Sequence, residues 1–172
     1  YMIAGKILGK EMLGYYSFAF QLASLPLERL VSFIGQIIFP YFSTLQDQPE
    51  ILKQKFLQGI RLTLLIAGPI FIGAALVAQD AVLLLLTAKW EPIILPFQLL
   101  AIGGVFRTLM VFNNQISMAK GLLFLVVTNT FLFAAIMPLG FYFGSINGII
   151  WLSVVWVTLF PALCLISTVR VI

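Results

Sequence analysis

Apolar residues fall in long runs along this chain, and the polar residues collect between them. The runs are close to 20 residues, the length a helix needs to cross about 30 Å of hydrocarbon. The pattern predicts a partial first helix over Tyr1 to about Leu8. A short polar turn at Gly9, Lys10, Glu11 and Gly14 precedes a second span, Tyr15 to Phe42, with Pro26 and Pro40 inside it. Further spans are predicted over Leu62–Gln79, Ile93–Met118, Leu122–Phe143 and Ile149–Thr168. Gly68-Pro69 reads as a kink, since proline removes a helical hydrogen bond. Lys120-Gly121 and Gly144–Gly148 read as tight turns.

The longest polar segment, Ser43–Leu57, carries Pro49 and Glu50 where a helix start favours them. Ile51, Leu52, Phe56, Leu57 and Ile60 then share one face, which predicts a loop with a short helix lying on the membrane surface. Asp80–Pro92 is expected on the opposite side. Lys53, Lys55, Arg61, Lys120 and Arg170 gather on one side, against Lys6, Lys10 and Lys89 on the other. The excess places Ser43–Leu57 in the cytoplasm.

Composition sharpens this into a fold class. Hydrophobic residues make up 62% of the 172 and charged residues 9%, against about 25% charged in a soluble domain. The mean hydropathy is +1.10. The reading is an all-α, polytopic membrane helix bundle with about five full transmembrane helices plus the partial first one, forming a single membrane domain over residues 1–172. The net charge of +4 is spread over loops, so nucleic acid is not expected as a partner. The lipid bilayer is. Tyr1 opens mid-helix, so the chain is expected to be a piece of a longer protein.

Histidine is absent and Cys164 is the sole cysteine. That excludes an internal disulfide, a Ser/His/Asp triad and the usual zinc sites. No Gly-rich phosphate loop occurs. Only Glu28, Asp80 and Glu91 are candidate acids, so no catalytic residue, metal site or cofactor is expected and the chain does not read as an enzyme.

The unusual residues are two arginines inside spans. Arg29 is about 28 Å along a helix from both Lys10 and Asp47, and Arg107 is about 20 Å from Lys120. A charge at such depth costs about 3 kcal/mol on insertion scales, so it pairs or lines a wet path. Arginine's planar fork suits phosphate oxygens. Arg29 and Arg107 are therefore candidate contacts for an anionic passenger, with a structural ion pair the competing reading for each. Glu28 and Gln21 share the helix of Arg29 and complete the candidate set. Ser24 could line the same face. Asn113, Asn114 and Gln115 read as interhelical hydrogen-bonding groups. Trp90, Trp151 and Trp156 read as interface or packing residues.

Several short stretches carry a resemblance: Gly5-Lys6-Ile7-Leu8-Gly9, Leu13-Gly14-Tyr15-Tyr16, Gln21-Leu22-Ala23 with Pro26, Phe39-Pro40 before Ser43, Lys89-Trp90 with Pro92, Leu99-Leu100-Ala101, and Ala119-Lys120-Gly121. In this order and spacing they resemble the polysaccharide transporter family, the O-antigen and exopolysaccharide flippases of the multidrug/oligosaccharidyl-lipid/polysaccharide exporter superfamily. After Gly121 the chain departs from the pattern, with no polar stretch before the next helix. The resemblance implies the second lobe of a two-lobe bacterial inner-membrane protein. It further implies alternating access around a central cavity, and as substrate a saccharide linked through pyrophosphate to undecaprenol. The N-terminal lobe would be the partner of this piece. A cation-coupled drug exporter of the same superfamily, or part of a membrane-embedded glycosyl or acyl transferase, are the alternatives.

Overall fold

The computed structural model describes residues 2–45 and 48–171. Asp47, one marker of the depth of Arg29, lies outside them. The described residues form helices and no strand. They are α1 (Met2–Ser43), α2 (Pro49–Leu85), a 3-10 turn (Ala88–Ile93), α3 (Ile94–Ala119), α4 (Leu123–Asn147) and α5 (Ile149–Val171). Three of them contain stretches long and apolar enough to cross a membrane: Glu50–Leu85, Ala88–Ala119 and Leu123–Ile146. Ile149–Leu159 is a shorter apolar stretch. The protein is an all-α membrane helix bundle.

Three boundaries differ from the hydropathy reading. The expected polar turn from Gly9 to Gly14 reduces to one residue, because only Gly9 leaves helical geometry (φ 81°, ψ 166°). Glycine tolerates this positive φ without steric cost. The expected surface helix, third span and start of the next loop are one unbroken helix of 37 residues. Pro49 and Glu50 do start it, with proline at the first turn where its missing N–H costs nothing. Lys53 and Lys55 stand on its first turns rather than on a separate element. The turn before α4 is as short as expected, with Gly121 at φ 70°. The turn before α5 shrinks to Gly148 at φ 104°.

α3 is the axis of the bundle, packed against α1, α2 and α5, while α4 leans on α5 and α1. Three buried layers stack along it. One end holds Tyr15, Tyr16, Ala19, Val82, Ile93, Leu100 and Leu152. The middle holds Leu27, Ala67, Phe71, Ala75 and Ala101. The far end holds Phe42, Leu52, Phe56, Phe112 and Ile116. Helices in lipid gain little from hydrophobicity and associate by close packing of small residues. Gly103 and Gly104 serve this on α3: Gly103 faces Val157 of α5, and Gly104 lies under the ring of Phe71 of α2.

Hydroxyl groups in this apolar body bond back to their own helix. Thr108 Oγ1 donates to the Gly104 carbonyl at 2.9 Å, Ser117 Oγ to the Asn113 carbonyl at 2.9 Å, and Ser145 Oγ to the Phe141 carbonyl at 2.6 Å. Each satisfies a donor that would otherwise be costly in hydrocarbon.

Candidate functional site

Helix α1 has two unlike faces. One is inward, and carries Tyr16, Ala19, Ala23, Ser24 and Leu27, all buried. On the other, Gln21, Leu25, Glu28, Arg29, Ser32 and Gln36 are all exposed. At 100° per residue these six positions fall within an arc of about 100°. Gln36 Nε2 donates to Ser32 Oγ at 3.2 Å, one helical turn apart on this stripe. Leu25, Pro26, Glu28, Arg29 and Ser32 line a shallow hollow. Pro26 stands near its N-terminal edge in sequence, where its ring cannot continue the helical hydrogen bonding.

The structure thus brings together Gln21, Glu28 and Arg29. Adjacent helical positions point about 100° apart, and Glu28 and Arg29 form no ion pair with each other or with another described residue. The face is a mostly polar row, with Leu25 among the polar groups, open to whatever lies beside α1.

Arg107 is elsewhere. It leaves α3 toward the inward face of α1 and is half-buried. Its guanidinium carbon is 4.9 Å from the ring centroid of Phe20 and 5.3 Å from that of Trp156. Nη1 donates a long hydrogen bond to Ser24 Oγ, 3.4 Å away. Phe20 and Ser24 are one turn apart on α1, so both meet the same guanidinium. Trp156 is held from other sides by Phe20 at 5.1 Å, Phe133 at 6.2 Å and Phe141 at 6.0 Å. Each face of an aromatic ring is electron-rich and attracts a cation. Arg107 is therefore a tie between α1, α3 and α5.

The two arginines do not share a pocket wall: one lies on the exposed stripe and one inside the bundle. The structure separates the pair that depth alone had grouped. Phe20 and Trp156 were not legible as partners of Arg107, because nothing in the spacing links α1, α3 and α5. Among the described residues no three His, Cys, Asp or Glu side chains come close enough to hold a metal ion.

The match to known proteins follows the same ground. The family model described as polysaccharide biosynthesis protein matches residues 1–95, which contain the whole α1 stripe. The chain is 27% identical over 120 residues to the teichuronic acid biosynthesis protein TuaB of Bacillus subtilis, covering 70% of this chain and 25% of that one. It is 30% identical over 149 residues to an uncharacterized membrane protein in the cps region of Klebsiella pneumoniae, covering 86% and 31%. It is 31% identical over 107 residues to the lipopolysaccharide biosynthesis protein WzxC of Escherichia coli, covering 62% and 22%. The chain spans about a quarter to a third of the length of these relatives. No solved structure matches it. The chain belongs to the polysaccharide biosynthesis protein family, and it is a multi-pass bacterial membrane protein.

Proposed function

We propose that this member of the polysaccharide biosynthesis family is part of a transporter that flips a lipid-linked saccharide across the bacterial cytoplasmic membrane. The observation that carries the reading is the exposed stripe of Gln21, Glu28, Arg29, Ser32 and Gln36 on α1. Lipid cannot solvate such a row, because polar and charged groups at membrane depth face a bundle interior or a water-filled path. The stripe is one wall of that path, and a second helical lobe is the other.

The passenger is a saccharide joined through pyrophosphate to a polyprenyl chain. Arg29 offers the diphosphate a bidentate fork. Gln21, Ser32 and Gln36 offer hydroxyl-bearing sugars both donors and acceptors. The polyprenyl chain stays in the bilayer. Alternating access moves the opening of the path from one membrane face to the other. Glu28 supports a second reading, a cation-coupled exporter of the same superfamily, since an exposed carboxylate in the path attracts cations.

The test is Arg29→Gln, Arg29→Lys and Glu28→Gln in the full-length protein, with saccharide-lipid transport and folded yield measured together. Arg29→Gln is expected to cut transport strongly at unchanged yield, and Arg29→Lys to restore part of it, since charge returns without the fork. Transport falling only in proportion to folded protein overturns the path assignment. Loss with Glu28→Gln but not with Arg29→Gln favours the exporter.

A further inference from the structure

A hollow of about 1180 Å³ lies at the opposite end of α2 from Lys53 and Lys55. Its lining comes from all five helices and the 3-10 turn. Part of its lining is aliphatic and exposed: Leu95, Ile146 and Ile150 are 45%, 57% and 43% exposed, and Gln79 and Ser145 add polar groups. The 3-10 turn contributes Lys89 and Glu91 to the lining, both exposed. Neither has an ion-pair or hydrogen-bond partner among the described residues. Trp151, 57% exposed, is also part of the lining.

We propose that this hollow is a binding site for a zwitterionic phospholipid of the phosphatidylethanolamine type. The ammonium of Lys89 meets the headgroup phosphate, and the carboxylate of Glu91 meets the headgroup ammonium. One acyl chain lies along Leu95, Ile146 and Ile150. Trp151 sits where the indole is favoured, at the boundary of chain and headgroup. The two unpaired opposite charges decide the lipid. An anionic headgroup with no ammonium would satisfy Lys89 and leave Glu91 facing like charge. Along Leu95, Ile146 and Ile150 an acyl chain is favoured over a saccharide, whose hydroxyls would lose water against these side chains without gaining partners. The site is independent of what the protein transports and stands apart from the α1 stripe.

The experiment is native mass spectrometry of the full-length protein, supplied with equimolar phosphatidylethanolamine and phosphatidylglycerol, for the unaltered chain, Glu91→Gln and Lys89→Gln. Both side chains are exposed and their loss leaves the core intact. The unaltered protein is expected to retain phosphatidylethanolamine preferentially. Glu91→Gln should lower that preference about two- to fivefold, the scale of an exposed charge pair, while keeping phosphatidylglycerol. Lys89→Gln should weaken both lipids. A lipid ratio that is the same in all three proteins overturns the proposal. A second arm follows quenching of tryptophan fluorescence by brominated-chain phosphatidylethanolamine in proteoliposomes. Trp151→Phe should remove a distinct part of the quenching. Quenching unchanged by Trp151→Phe, or relieved by a soluble oligosaccharide, also overturns it.

Discussion

The indole of Trp90 stands edge-on to the ring of Tyr15, with centroids 5.8 Å apart and planes at 83°. Phe18 closes the other side at 4.6 Å. This contact fastens the 3-10 turn to α1, far away in sequence, and it joins two of the short stretches by which the family is recognised. Edge-to-face ring pairs add about 0.5–1.5 kcal/mol beyond area burial. Trp90→Ala is expected to destabilise the protein by about 3 kcal/mol, read as a lower thermal midpoint in detergent. Trp90→Phe should keep most of the stability. Equal loss in both variants would mean that ring contact is not what matters there.

Arg107 gives a contrasting expectation to Arg29. Its guanidinium is held by Phe20, Trp156 and Ser24. Arg107→Gln should lower folded yield and stability by about 1–3 kcal/mol, from lost cation–π and charge-assisted contacts. Trp156→Phe, which keeps a ring, should be milder than Trp156→Ala. A version of Arg107→Gln with full stability and no transport would move Arg107 into the path.

Single cysteines can test whether the α1 stripe is wet. On a Cys164-free background, cysteines at Gln21, Ser32 and Gln36 should react with a water-soluble thiol reagent. Cysteines at Leu65 and Leu76, 72% and 75% exposed on an apolar face of α2, should stay unlabelled within lipid. Equal silence at all five positions would leave the stripe buried against protein or lipid.

Close packing around glycine makes a further prediction. A Cβ on Gly144 would stand 3.0 Å from the Leu152 Cα, and backbone cannot swing aside. A Cβ on Gly104 would run into the Phe71 ring, in the middle buried layer. Gly144→Ala and Gly104→Ala should each cost about 1–3 kcal/mol. Gly68→Ala, with nothing within 4 Å of the added atom, should be close to neutral or slightly favourable. Thermal unfolding of the three variants side by side checks the order.

Orientation is testable at the two ends of α2. Gln48 precedes the helix and Thr87 follows it, and both are exposed. If the basic end is cytoplasmic, an impermeant thiol reagent applied to intact cells labels a cysteine at Thr87 and spares one at Gln48. The reverse pattern turns the bundle over.

Much of the fold was legible because membrane helices are written in hydropathy. Four expected spans match α2, α3, α4 and α5, with Ile93 and Leu122 one residue outside, and the turn at Lys120-Gly121 is where the polar pair placed it. Boundaries at the ends of α2 were hidden for a physical reason. A drop in hydropathy marks where a helix leaves lipid, while hydrogen bonding continues through Lys53, Gln58 and Asp80. The shared face of Gln21, Glu28 and Arg29 was legible too, because their spacing fits the helical repeat. The partition of the two arginines was not legible. Depth along a helix says nothing of azimuth, and the Phe20–Arg107–Trp156 contact depends on how three helices are rotated against one another.

The length of α2 has a mechanical meaning. Its 37 residues reach about 55 Å at 1.5 Å per residue, nearly twice the hydrocarbon thickness. One rod therefore carries Lys53 and Lys55 at one end and Gln79, a lining residue of the phospholipid hollow, near the other. α2 meets α3 in all three buried layers, from Leu52 to Val82, so a tilt at the basic end reaches the far end to the extent that the helix moves as one body across Gly68-Pro69. A few degrees of rocking there become ångströms of displacement at Gln79. Events at the two membrane surfaces are geared together by a single helix.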